Sequence, residues 1–274
     1  PTELLKPIFC VFLSIAGQRY RFFRKYAISL QKILHYMEKI IGIGNALVDI
    51  LVRLQSDSQL GQMGLPKGGM TLIGEDRRRE LQACMEGLPK EQATGGSAGN
   101  TVLALARLGD SAGFVGKVGR DELGRFFAAG CKASGIDARL LECDLPTGVA
   151  NTFITPDGER TFGTWLGAAA TLQAGDITPA LFEGASTAHI EGYLVQNHDL
   201  METICQMATE KNVQLSLDLA SYNVVEADLP FFRQHTDEQG QCFFFHMLVI
   251  LYFSRTNYIN NILKVNRFAS KIFI

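Results

Sequence analysis

Apolar and polar positions along the middle of the chain fall into blocks that switch between a two-residue and a 3.6-residue period. Residues 39–43 read as a short buried strand, and 48–54 alternate as a second strand. A third short strand is expected at 68–73, after a helix and loop over 55–67. A charged amphipathic helix with a solvated face follows at 75–86. Residues 111–118 predict a strand, and Asp121 predicts the cap of a helix running to about residue 133. The segments 147–155 and 159–164 alternate about Pro156, Asp157 and Gly158, the pattern of a hairpin. A strand ending near Tyr193, a helix over 199–211 and a strand over 213–219 complete the series. Strands and helices alternating at this spacing imply right-handed crossovers and a mainly parallel sheet, an α/β fold. The strands at 47–54, 70–73, 147–155 and 159–164 are set apart as a smaller sheet, placed as a lid.

The stretch 94–109 organises the rest. Gly95 and Gly96 let the backbone turn tightly and approach a ligand, because no Cβ blocks the way. Ser97 is expected to cap a helix whose Ala98, Val102, Leu105 and Ala106 form a narrow packing face, and Gly109 supplies the stop. Backbone N–H groups at the helix start, with the Asn100 amide, suit a small polar ligand. An ordinary loop and helix cap has the same signature, and this stretch alone does not separate the two.

Other positions carry weaker chemistry. Gly42-x-Gly44 invites a dinucleotide-binding reading, but Leu47 fills the third glycine position and no helix opens there, so that reading is rejected. Asp49 falls at a strand edge near the carboxyl end of the first strand, where open α/β sheets bind ligands; a solvated turn residue is the alternative. His189 sits in an apolar run and reads as a core histidine. None of the five histidines has a nucleophile or ligand partner at suggestive spacing, and no metal site is expected.

Composition narrows the class. A chain of 274 residues suits one large α/β domain or one domain with a small appendage. The net charge of −2 argues against a nucleic-acid binder relying on bulk charge. Six scattered cysteines without a C-x-x-C pair argue against a disulfide framework and for a reducing cytoplasmic setting. Residues 1–36 are basic, and their apolar run at 8–16 is far short of the roughly 20 residues a membrane span needs. Met37 reads as the true start, with 1–36 an extension or upstream sequence. A signal peptide or tether built on that run is the competing reading. Residues 241–274 hold no Asp, Glu, Gly or Pro, and 235–274 read as a frameshifted tail.

Three segments, in order, carry a resemblance. They are Gly44-Asn45-Ala46-Leu47-Val48-Asp49-Ile50, Gly95-Gly96-Ser97-Ala98-Gly99-Asn100 with its helix, and Gly116-Lys117-Val118-Gly119-Arg120-Asp121-x-x-Gly124. With them, residues 37–234 resemble about the first two thirds of the ribokinase (PfkB) superfamily of sugar and nucleoside kinases, in particular its adenosine-kinase-like branch. The resemblance implies a three-layer fold, a mainly parallel sheet flanked by helices with a small β-sheet lid that also forms a homodimer contact. It implies ATP and Mg²⁺, and γ-phosphoryl transfer to a primary hydroxyl of a sugar or nucleoside. Asn45, Asp49, Gly95, Gly96, Ser97 and Asn100 would form the acceptor pocket, and Asp218, Asn223 and Arg160 would face nucleotide phosphate. The family's Mg²⁺-organising Asn-x-x-Glu and its Gly-Ala-Gly-Asp, with the catalytic Asp, do not occur after Gln234, and no acid follows Glu238. The resemblance therefore supplies no catalytic residue here, and the chain is expected to lack phosphoryl transfer by itself. A non-catalytic sugar- or nucleoside-binding protein is the alternative.

Overall fold

The computed structural model describes residues 39–232 and 243–246. The expected extension over 1–36 and nearly all of the expected tail over 235–274 lie outside the described residues. Six parallel strands form the main sheet: β1 (Lys39–Ile43), β5 (Ala112–Gly119), β6 (Asp137–Cys143), β9 (Ala185–Ile190), β10 (Gln214–Asp218) and β11 (Phe243–His246). Their order across the sheet is β11-β10-β9-β1-β5-β6, all neighbours parallel.

The pleat divides the core into two faces. Ile41, Ile43, Val115 and Ile190 point to one side, against helix α5 (His198–Glu210) and Val224 of the short helix α6 (Tyr222–Ala227). Ala112, Phe114 and Val118 point to the other, against α3 (Ser97–Leu108) and α4 (Glu122–Ala133). The result is the three-layer arrangement that the resemblance implies, built on the mainly parallel sheet expected from the strand–helix alternation. Gly42 sits under α3, where a Cβ would press on Val102 Cγ1 and the Ala98 carbonyl, so the missing side chain sets the helix-to-sheet distance.

The second sheet has the order β3-β8-β7-β2-β4: β2 (Leu47–Arg53), β3 (Met70–Leu72), β4 (Lys90–Gly95), β7 (Thr147–Ile154) and β8 (Arg160–Gly167). One face is covered by α1 (Asp57–Gln62) and α2 (Glu75–Cys84), through Val52, Phe153, Leu60, Leu81 and Met85. Trp165 on β8 is stacked under the Arg78 guanidinium, 4.6 Å from the ring centroid.

Several expectations hold to the residue or nearly so: β1, the β7–β8 hairpin, and the Asp121 cap, whose carboxylate accepts from Gly124 N at 2.8 Å. Others are corrected. The α3 cap is Gly96, at φ +87°, with no side-chain cap bond; Ser97 is already helical and its hydroxyl turns to Asp218. Strands β4 and β6 were not expected as strands. β4 pairs antiparallel with β2 and makes the stretch before Gly96 an edge of the lid. Nothing in Lys-Glu-Gln-Ala-Thr-Gly alternates, because this edge strand is largely exposed.

Candidate functional site

A cleft of about 470 Å³, its solvent-open mouth included, lies between the lid and the carboxyl end of the main sheet. Its polar floor is Asn45, Gly96, Ser97 and Glu191, with Tyr193 and Gln196 beside them. Its roof is the underside of the lid: Leu47, Met70, Leu72, Thr164 and Leu166. Ligands of open α/β sheets bind at this end of the strands.

Glu191, at the end of β9, is the centre of the floor and only 2% exposed. Asn45, on the β1–β2 connection, donates its side-chain amide to Glu191 Oε1 at 2.5 Å. The other oxygen, Oε2, accepts from Asn45 N and Ala98 N, both at 3.3 Å. One carboxylate thereby ties the β1–β2 connection to the first turn of α3, where the helix dipole favours negative charge. Burial pushes the Glu191 carboxyl up to about 7, with the Asn45 amide pulling down and the Asp218 charge pushing the same way as burial.

Asp218, at the end of β10, braces the floor from behind. Its Oδ1 accepts from Gly192 N at 2.9 Å and Ala220 N at 2.7 Å, and its Oδ2 accepts the Ser97 hydroxyl. Ala220 pays for that turn with a positive φ of 54°.

Asp49 lies in the lid, in lateral register with Ala150, Thr164 and Leu72, on the face that roofs the cleft. Gly95 runs so close that a Cβ there would collide with the Asp49 carboxylate. Burial lifts the Asp49 carboxyl to about 6, and the Arg160 guanidinium pulls it partly back. Arg160 is exposed and shares the side of β8 that carries Thr164.

Asn45, Gly96 and Ser97 thus come together in the cleft, with Asp49 on the cleft-facing side of the lid but outside the lining, and Gly95 packed against it. Asn100 is exposed in the first turn of α3, outside this lining, its N–H bonded to Gly96 O at 2.9 Å. Asn223 falls in α6, and its side chain lies outside the described residues. His189 is a core residue, 5% exposed, with Nδ1 3.0 Å from Ser216 Oγ. Glu191 is the residue that sequence reasoning missed. Its signal was available: a carboxylate directly after the apolar run Ala188-His189-Ile190, at the carboxyl end of a parallel strand.

One further correction concerns Asn-x-x-Glu. The pattern does occur upstream of Gln234, as Asn223-Val224-Val225-Glu226, in the six-residue α6 with Glu226 exposed. Among the described residues no group of three or more His, Cys, Asp or Glu side chains is arranged to hold a metal ion. The approaching pair, Glu191 and Asp218, is already engaged by N–H and O–H donors. The described residues therefore do not make up a Mg²⁺ site. Among them, too, no helix is long and apolar enough to cross a membrane.

A parallel sheet with a β lid and, between them, a cleft with a polar floor and an apolar roof describe an α/β protein with room for a small molecule, and comparisons with known proteins narrow the class. The family described as pfkB family carbohydrate kinase matches residues 72–237, more than half of the chain. The chain belongs to that family. Fructokinase-1 of Oryza sativa is 44% identical over 73 residues, 26% of this chain and 23% of that protein. Among solved structures, the adenosine kinase of Sinorhizobium meliloti superposes with a TM-score of 0.66 at 32% identity, covering 73% of this chain and 62% of that one. A probable sugar kinase of Rhizobium etli gives 0.67 at 30% identity with the same coverage. The chain thus spans less than a quarter of that fructokinase and less than two thirds of either solved structure.

Proposed function

We propose that this chain provides the acceptor-binding part of an ATP-dependent kinase that phosphorylates a primary hydroxyl of a sugar or nucleoside. The observation that carries the reading is the convergence of Asn45, Ser97 and Glu191 on one cleft beneath a lid that carries Asp49. In this reading the Asp49 carboxylate accepts hydrogen bonds from substrate hydroxyls. Such charge-assisted bonds are strong where water is excluded. Asn45 and Ser97 orient the same hydroxyls, and the Gly95–Gly96 turn lets the α3 N-terminus come close to them; Asn100 acts only if the lid or α3 shifts toward the ligand. The lid, through Met70, Leu72 and Leu166, covers the ligand and excludes water, which favours transfer over hydrolysis.

ATP and Mg²⁺ would supply the phosphoryl group and neutralise its charge. Arg160, Asp218 and Asn223 are proposed toward nucleotide phosphate on the resemblance alone; the engagement of both Asp218 oxygens supports a bracing role for that residue. No acid follows Glu238, so these 274 residues hold no late carboxylate to take the hydroxyl proton. We therefore propose binding without turnover by this chain alone.

The test is incubation with ATP, Mg²⁺ and a panel of sugars and nucleosides, assaying phosphorylated product beside calorimetric binding. Binding without product is expected. Product formation would overturn the inactivity, and an absence of binding to every acceptor would overturn the acceptor site itself.

A further inference from the structure

The chain passes between the two sheets four times, and every passage lies at one end of the lid. In the lid's register Gly95 faces Leu47, Leu47 faces Gly148, and Thr147 faces Gly167. The passages therefore stand in one row across β4, β2, β7 and β8, the row about which the lid has to turn. A carboxylate from the main-sheet side holds each half of that row. Glu191 takes the β2–β4 half, through Asn45 and Ala98. Asp121 takes the β7–β8 half. We propose that Asp121 is a positioning residue: besides capping α4, it pins one end of this row and so fixes the axis about which the lid moves over the cleft.

Asp121 makes more contacts than a helix cap requires. Its Oδ1 accepts the Gly124 N–H at 2.8 Å, which completes the cap. The remaining capacity goes to the lid: Oδ1 also accepts the Thr147 hydroxyl at 2.6 Å, and Oδ2 accepts the Thr147 N–H at 2.8 Å. The same hydroxyl accepts from Gly119 N at 2.9 Å, so the first residue of β7 is bonded at once to the end of β5 and to the start of α4. One residue earlier, Pro146 O accepts from Ala168 N at 2.8 Å and ties in the exit of β8.

This corner has no slack. Thr147 is 1% exposed. A Cβ on Gly119 would run into Leu145 O and Thr147 N, and one on Gly124 into Gly119 O. Burial pushes the Asp121 carboxyl up, but the Thr147 hydroxyl and the Thr147 and Gly124 N–H groups outweigh it and hold the group below its ordinary value. The carboxylate is therefore ionised at neutral pH, and its bonds are of the charge-assisted kind, about twice as strong as neutral ones. The Glu191 half is looser along the backbone, at 3.3 Å from both Asn45 N and Ala98 N. A sheet pinned firmly at one end of its base and more loosely at the other swings on the firm end.

The experiment compares Thr147→Val and Asp121→Asn with the parent and with Thr147→Ser, each as the whole isotope-labelled chain. Residual dipolar couplings report whether lid and main sheet share one orientation, and amide exchange reports the clamp itself. Thr147→Val removes the hydroxyl and leaves the α4 cap. Asp121→Asn keeps the cap acceptor but turns an NH₂ toward Thr147 N. The Gly119 amide in the first variant and the Thr147 amide in the second should exchange about tenfold or more faster than in the parent. In both, the lid should lose its common alignment with the main sheet, whereas Thr147→Ser should keep the parent's values. If Thr147→Val fails to fold, Asp121→Asn decides alone, because asparagine caps helices as well as aspartate does. Variants that keep the common alignment, whatever their urea midpoints, overturn the inference. So does a lid equally loosened in Thr147→Ser, or one already unaligned in the parent. The readout needs no ligand, so a failure of every acceptor to bind overturns the acceptor-site reading and leaves the Asp121 clamp standing.

Discussion

The Asn45 side-chain amide donates to the Glu191 carboxylate at 2.5 Å, across 146 residues of sequence. Both partners are buried, at 5% and 2% exposure, so neither has water to fall back on. Replacing Glu191 by Ala strands the Asn45 amide and the Ala98 N–H, and a buried unsatisfied polar group costs roughly 1–3 kcal/mol. Glu191→Gln keeps the shape: its carbonyl can still accept from Asn45 N and Ala98 N while its NH₂ donates to a rotated Asn45 Oδ1, so it should cost less than Ala. Glu191→Ala should unfold at lower urea concentration than the parent and bind acceptor at least about tenfold more weakly, readable by denaturation and calorimetry.

Stability should fall as pH rises through the weakly acidic range. Glu191 is lifted from 4.5 to about 7 and Asp49 from 3.8 to about 6 in the folded chain. Between those limits the folded state keeps protons that the unfolded chain has released, so each unit of rising pH favours unfolding. The loss begins above about pH 4, is complete near pH 7, and amounts to on the order of 3 kcal/mol for Glu191 alone. Glu75 and Asp157, held down by Arg78 and Lys67, act in the opposite direction and only in stronger acid. Urea midpoints measured from pH 5 to 8 should decline, and the slope should flatten in Glu191→Gln.

Asp49 should trade stability for binding. Burial in the lid desolvates its carboxylate, with the Arg160 charge pulling the other way. Asp49→Asn removes the buried charge while keeping the shape, so at pH 8 the variant should melt higher, by on the order of 1 kcal/mol, and lose acceptor affinity. A parallel melting curve and titration decide this. A variant less stable than the parent would show that the carboxylate serves the fold.

Two glycines with positive φ should respond differently to Ala. Gly96 has φ +87°, and a Cβ there would strike the Asn45 carbonyl. Gly87 has φ +76°, but its Cβ would enter open space. Gly87→Ala should cost about 1 kcal/mol of backbone strain. Gly96→Ala should cost more, about 2–4 kcal/mol, and should weaken binding as well, because the collision lies on the cleft floor.

The sequence was legible where a residue's chemistry acts locally. Asp121 precedes Gly124 at the spacing of an N-cap, and the Pro156-Asp157-Gly158 turn names its own hairpin; both are present as expected. Ser97 misled because a serine before an apolar helical face resembles a cap. The φ of +87° needed there can be met cheaply only by Gly96, and the hydroxyl was claimed by Asp218, 121 residues away. The strand β6 carries Arg139 and Glu142 among its leucines, since it closes the sheet edge, and its pattern does not alternate. Glu191 escaped notice because its partners, Asn45 and Ala98, become neighbours only once β9 lies beside β1.

The most direct test of the acceptor cleft is an amide NMR titration of the isotope-labelled chain with adenosine and with fructose. The resonances of Asn45, Gly96, Ser97 and Glu191 should shift with at least one of the two, together with Leu72 and Thr164 in the lid, while those of α4 stay in place. Shifts confined to other surfaces, or none with either ligand at millimolar concentration, would contradict the assignment of this cleft as the acceptor site.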